Sequence, residues 1–181
     1  MNLIAVIDRA HGIGYKNDLL YDIPDDLQYF KEKTLGKVVV MGYPTLLSLP
    51  NSKPLPKRTN IVMSLEPFEV DGVTVCRSLE AIKEAAERGE RAVAACYSLD
   101  ELWEMLKGCD TDDVFVVGGG VIYNLLIDYC DYCYITEVDA ETPADTFLHK
   151  VYDATVWEKI EEGEERVCGG IRYRFCVYKK K

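Results

Sequence analysis

The run Ile23-Pro24-Asp25-Asp26-Leu27-Gln28-Tyr29-Phe30-Lys31 is where this sequence could do acid–base chemistry. Pro24 suits the first turn of a helix, where a missing N–H costs nothing. At 3.6 residues per turn, Asp26, Leu27 and Phe30 fall within an arc of roughly 100°. One carboxylate therefore shares a face with two large apolar groups, whereas Asp25 points away as a solvated acid. A carboxylate among apolar groups resists ionisation and can hold a proton for transfer. The plainer alternative is a first-turn acid that only favours the helix dipole, and the residues alone leave both readings open.

Two other groupings could carry chemistry. Gly118-Gly119-Gly120, after an apolar run and before a helix near Val121, would let backbone amides approach a phosphate, although glycine triplets also make ordinary turns. Cys130-Asp131-Tyr132-Cys133 has metal-knuckle or redox spacing, but no second such pair accompanies it, and His11 and His149 lie far off in sequence. Two cysteines in or beside a strand are expected there, and no metal site.

These groups need a scaffold. Residues 3–7, 37–42, 59–63, 114–117 and 133–136 are short apolar runs that read as buried strands, the first closed by the Gly12-Ile13-Gly14 loop. Helical stretches fall between them at 24–34, 44–49, 78–88, 98–107 and 121–128. Such alternation predicts an α/β fold, and the strand-like segments 155–161 and 171–178, joined by a Gly/Glu-rich turn, predict an antiparallel finish. The expected architecture is a single domain over 1–181: a central, mostly parallel mixed sheet with antiparallel C-terminal strands and flanking helices.

Cys76-Arg77-Ser78-Leu79-Glu80-Ala81-Ile82 is echoed by Cys96-Tyr97-Ser98-Leu99-Asp100-Glu101-Leu102. Each follows an apolar run (73–75, then 92–95), starts a helix at a Ser N-cap and leads to a glycine, Gly89 or Gly108. Ser98 and Glu101 form a capping box. An extra strand–helix unit within 77–108 is expected.

The formal net charge of −10, from 21 Lys+Arg against 31 Asp+Glu, works against attraction to nucleic acid or anionic membranes. The N-terminal residues lack the basic flank and apolar length of an export signal, and no later run could span a bilayer. The seven cysteines are an odd count, and without an export signal they are expected to be free thiols. A cytoplasmic protein with small-molecule partners is expected.

In order along the chain, Leu3-Ile4-Ala5, Gly12-Ile13-Gly14, the Ile23 to Lys31 run, Val40-Met41-Gly42 with Thr45, Pro54-Leu55-Pro56 with Arg58 and Asn60, Val117 to Gly120 with Ile122-Tyr123, and Tyr134-Ile135-Thr136 with Val138-Asp139 together resemble the dihydrofolate reductases. The resemblance spans nearly the whole chain except the segment around the duplicated unit. It implies hydride transfer from NADPH to dihydrofolate, giving tetrahydrofolate, with antifolate-type inhibitors as further ligands and a monomer as the expected state. By that resemblance Asp26 is the ionisable group of the substrate pocket. It would assist protonation of N5, with Thr136 as its brace and Tyr21 as the aromatic at the end of a lid over 14–20. Leu27, Phe30, Leu49 and Leu55 would clamp the pteridine and benzoyl rings, Ile4 would line the same pocket, and Arg58 would hold the glutamate tail. Ala5, Val117 and Tyr123 would face both substrate and nicotinamide, with Ile13, Gly14, Leu19 and Ile122 on the nicotinamide side. The rest of the cofactor would lie along Gly42, Tyr43, Thr45 and Met63, then Ser64 and Arg77, and over Gly118, Gly119, Gly120 and Val121.

The departures cluster around the cofactor's phosphates. Tyr43 and Val121 stand where the family usually carries basic or polar residues, and Leu65 where Ser or Thr is common; Tyr21 replaces a Trp. If the first repeat copy borders the cofactor, Arg77 supplies a cation for a 2′-phosphate; if the second does, Tyr97 brings none. NADH therefore remains open beside NADPH. A same-fold pyrimidine reductase of riboflavin synthesis is the runner-up, opposed by Asp26 and Phe30, and a folate-binding pseudoenzyme is kept alive by Tyr43 and Val121.

Overall fold

Valine- and isoleucine-rich runs of five to seven residues, too short for helices and apolar on both sides, build the centre of the molecule. The computed structural model describes all of residues 1–181. Along the first half lie β1 (Asn2–Asp8), β2 (Gly12–Tyr15), β3 (Asp18–Leu19), α1 (Pro24–Thr34), β4 (Val38–Gly42), α2 (Tyr43–Ser48), β5 (Thr59–Met63), β6 (Thr74–Cys76) and α3 (Leu79–Glu87). There follow β7 (Ala92–Cys96), α4 (Leu99–Leu106), β8 (Val114–Gly118), α5 (Gly120–Leu126), β9 (Tyr132–Val138), β10 (Thr146–Phe147), β11 (Trp157–Glu162), β12 (Arg166–Cys168) and β13 (Ile171–Lys180).

The main sheet runs β11-β13-β9-β1-β8-β4-β5-β7-β6, with β12 folded back on β13. Pairings from β9 through β6 are parallel and those of β11, β12 and β13 antiparallel, as the sequence predicts. Gly169 and Gly170, both at positive φ, make the two-residue turn that lets β12 fold onto β13. Alternation along each strand splits the core: Val40, Ile61 and Val116 face one large cluster, while Val39, Met41, Val62 and Phe115 face a second on the opposite side.

Two features differ from the expected layout. Residues 12–19 form a hairpin, β2 with β3, rather than a loop, and β10 joins it in a separate small sheet. Its turn is Lys16-Asn17, both at positive φ, the geometry a tight hairpin demands and Asn tolerates. The last helix is shorter than expected: α5 ends at Leu126 and a 3-10 turn carries the chain to Tyr129.

The repeated segment gives two strand–helix units with the same cap geometry. Ser78 and Ser98 both sit at φ −151°, and each hydroxyl accepts from the N–H three residues on. Glu101 closes its box one residue early, accepting from the Tyr97 N–H at 2.9 Å. The copies lie side by side, and it is the second strand, β7, that pairs with β5, while β6 lies outside it at the sheet edge. All seven cysteines are free; Cys133 lies within β9 and Cys130 just before it. No helix is long and apolar enough to cross a membrane.

Candidate active site

Asp26 enters the site because Pro24 starts α1 beside the end of β9. There the Thr136 hydroxyl, on a strand buried between β1 and β13, donates to Asp26 Oδ1 at 2.5 Å. Burial pushes the Asp26 carboxyl above its ordinary value, and the Thr136 bond pulls the other way without reversing it. Asp25 points elsewhere. It accepts from Tyr173 Oη at 2.9 Å and Arg166 Nη1 at 3.0 Å, which hold it below the usual carboxylate range. The helical arc thus places two adjacent acids in surroundings that shift them in opposite directions.

Phe30, Leu49, Leu55 and Val117 pack against Ile4 in the cluster on the α1 side of the sheet, and Tyr43 joins them. Leu27, on α1, is half exposed. Ala5, Ile13, Met63, Ile122 and Tyr123 belong to the cluster on the other side, so β1 presents successive residues to the two faces. Tyr123 bridges them, its buried hydroxyl donating to the Ile4 carbonyl at 2.7 Å. Arg58 is held by its own neighbours: its guanidinium donates to Thr34 Oγ1, to the Lys31 carbonyl and to the Pro56 carbonyl, and the side chain stays part-exposed.

The glycines at 42 and 118–120 are sterically required. A Cβ on Gly119 would stand 3.1 Å from Thr45 Oγ1, one on Gly42 3.0 Å from Ile122, and one on Gly120 2.3 Å from Thr146. Gly118 adopts φ +124°, which an L side chain rarely takes. Close packing therefore demands glycine where β8 meets α5 and β4 meets α2. Gly14 lies within β2 on the hairpin, opposite Leu19, which is exposed, as are Leu65 and, at the start of α5, Val121. Tyr43 stacks on Phe68 with centroids 4.5 Å apart. Ser64 directly follows β5 and its N–H donates to the Cys96 carbonyl, so the second repeat copy is its neighbour. Arg77 is not on the adjoining strand, yet its guanidinium lies 4.3 Å from the Tyr97 ring centre and 3.5 Å from Glu101 Oε1.

Tyr21 packs in a cluster with Ile23, Val138 and Tyr173, and its hydroxyl donates to Asp8 Oδ2 at 3.0 Å. Two residues to which no role was assigned from sequence shape the surroundings of these groups. Asp8, an acid closing an apolar strand just before Gly12, is one. The other is Asn60, whose buried amide bonds Leu55 on both N–H and carbonyl and the Arg58 carbonyl, thereby shaping the loop that presents Leu55 and Arg58. A lone amide within the apolar run 59–63 was its signal.

A mostly parallel α/β sheet with a glycine-rich strand–helix junction between β8 and α5 belongs to the class of nucleotide-dependent α/β enzymes. The sequence profile of the dihydrofolate reductase family matches residues 1–95 and 90–180, two segments that meet within β7. The chain is 35% identical over 180 residues to a dihydrofolate reductase of Neisseria meningitidis serogroup B, covering 98% of this chain and 96% of that one. It is 30% identical over 184 residues to that of Bacillus subtilis, covering 100% and 95%. A dihydrofolate reductase from Enterococcus faecalis, solved in complex with NADP(H) and RAB-propyl, superposes with a TM-score of 0.75 at 26% identity, over 99% of this chain and 95% of that one. The chain belongs to the dihydrofolate reductase family.

Proposed function

We propose that this protein reduces 7,8-dihydrofolate to 5,6,7,8-tetrahydrofolate with NADPH as cofactor, and that Asp26 is the acid that assists protonation of N5. When bound, NADPH supplies the hydride. What the chain itself does follows from its side chains. Asp26, held by Thr136, accepts from the pteridine's amino group and ring N–H and favours the tautomer that takes a proton on N5. Phe30, Leu49 and Leu55 provide an apolar wall that keeps water from the ring, and Arg58 receives the tail carboxylate at the cleft mouth. The glycines 118–120 with Gly42 and Thr45 provide the bare backbone for the cofactor's diphosphate. The observation that carries this reading is the short Thr136–Asp26 bond in a part-buried cleft, joined to family membership over the whole chain.

Seven unpaired thiols suit a reducing compartment, so the cytoplasm is the proposed location; the net charge of −10 and small-molecule site favour a monomer with no nucleic-acid or membrane partner. The test is direct: pure protein is mixed with dihydrofolate and NADPH or NADH, and loss of reduced-nicotinamide absorbance is followed. Oxidation of NADPH that depends on dihydrofolate supports the reading. Tight folate binding without turnover with either cofactor would replace it with a folate-binding protein.

A further inference from the structure

The Asp8 carboxylate is 2% exposed, has no cationic partner, and lies outside the chemistry described above. Four donors surround it. Oδ1 accepts from the N–H groups of Ala10 at 3.0 Å and Gly12 at 2.8 Å; Oδ2 accepts from the N–H of Thr142 at 3.1 Å and from Tyr21 Oη at 3.0 Å. These donors belong to the start of the β2–β3 hairpin, the connection from β9 to β10, and the residue where the chain leaves the hairpin towards α1. Gly12 shows how tightly the same segments converge: a Cβ there would stand 2.8 Å from Ala144, 3.0 Å from Leu20 and 3.2 Å from Asp8 Oδ1. From Asp8, β1 runs back through Val6, which pairs with Thr136, the residue that holds Asp26. One buried anion therefore fixes the hairpin at both ends, and its fourth donor, Tyr21, lies five residues before Asp26.

We propose that Asp8 and Tyr21 form a positioning pair for hydride transfer: the buried carboxylate locks the base of the 12–19 hairpin, and the tyrosine hydroxyl couples that lock to the helix carrying Asp26. A carboxylate is needed because all four partners are donors. An asparagine oxygen can satisfy only one side, and its NH2 then faces the Thr142 N–H. Tyrosine is needed at 21 because a phenylalanine of the same shape would leave one carboxylate lone pair without a partner. The proposal rests on the dihydrofolate reductase reading, so the wild-type enzyme is assayed first, and absence of turnover there would fail that reading rather than this one.

The experiment compares wild type, Tyr21→Phe, Asp8→Asn and the double variant by single-turnover hydride transfer with NADPH and 4-deuterated NADPH, by equilibrium dissociation constants for dihydrofolate, and by hydrogen exchange at the Gly12 and Thr142 amides. Tyr21→Phe removes one oxygen and keeps the packed ring, so it preserves the fold. The expected result is a hydride step slowed about tenfold, the rate equivalent of one lost hydrogen bond, with dihydrofolate affinity changed less than about threefold and an isotope effect that persists, because chemistry remains the slow step. Asp8→Asn should slow the step further and expose the Thr142 amide to exchange, and adding Tyr21→Phe to it should cost much less than in wild type, because the two act as one unit. A role confined to stability would lower the melting temperature and leave the single-turnover rate of the folded enzyme intact. That outcome, or fully additive rate effects of the two substitutions, would overturn the proposal.

Discussion

Asparagine at position 26 keeps the shape of the side chain and removes the proton-holding group. The structure allows the cost to be divided. Thr136 donates to Oδ1 at 2.5 Å, and an amide oxygen in that place still accepts this bond. The NH2 then occupies the Oδ2 position, where the substrate's own donors would meet a donor. One lost charged hydrogen bond is worth about 1.5–3 kcal/mol, or roughly tenfold to over a hundredfold in affinity. Loss of the acid itself should lower kcat at neutral pH by about 10²- to 10⁴-fold. Asp25→Asn loses contacts to Tyr173 and Arg166 away from the cleft, and should leave kcat within about twofold, as an exposed change normally does. The pH dependence has a definite sign. Burial raises the folded value of Asp26, so the protonated acid is present below that value and disappears as pH rises through it. The wild-type rate should therefore fall towards alkaline pH, and that fall should be absent from Asp26→Asn. The same shift means that the folded chain binds this proton more tightly than the unfolded chain does, so stability from it is lost as pH rises. Asp26→Asn should consequently melt higher than wild type at neutral pH. Steady-state rates and thermal melts across the pH range test both halves. Equal effects of the two asparagine substitutions, or a variant at 26 that is both active and less stable, would refute the assignment.

Arg58→Leu should raise the Michaelis constant for dihydrofolate by the equivalent of about 1.5–3 kcal/mol while leaving that for a pterin without the glutamate tail nearly unchanged; equal losses with both substrates would remove Arg58 from the tail site. NADPH should be preferred to NADH by a narrow margin, because Arg77 reaches the cofactor end across Tyr97 and is partly neutralised by Glu101. Arg77→Ala should then weaken NADPH only, and Glu101→Gln and Tyr43→Arg should tighten it, the latter by about 1–3 kcal/mol; Michaelis constants for both cofactors decide, and an unaffected NADPH value in Arg77→Ala assigns the position to Tyr97. The His11 and His149 rings meet at 2.8 Å between their Nδ1 atoms, one donating and one accepting, and burial together with His149 lowers the His11 value. The unfolded chain then takes up that proton first on acidification, so stability is lost as pH falls through the ordinary histidine range near about 6.5. Melting temperatures should show that loss in wild type and less of it in His11→Gln; identical profiles would contradict it.

Much of this protein was legible locally. The helix 24–34 announces itself through Pro24 and the spacing of Asp26, Leu27 and Phe30. The inner strands appear as short valine-rich runs, and α4 begins at a Ser98–Glu101 box whose signal spans only a few residues. The order of the family's motifs carried the pairing of Asp26 with Thr136, which no local pattern contains. Other features arise only when distant segments pack. Both repeat copies have the same strand, cap and helix, so local chemistry offered no reason for β7 rather than β6 to lie beside β5; sheet packing made that choice and moved Arg77 to the outer strand. Asp8 reads as an ordinary polar strand end until Thr142, over a hundred positions away, donates to it, and the chain's two histidines meet across 138 positions. Hydrogen-bond propensity, capping and hydrophobic period act over one turn or one strand and so leave a mark in sequence. A buried charge acquires its partners from whichever surfaces the core brings together, so its role exists only in the folded chain.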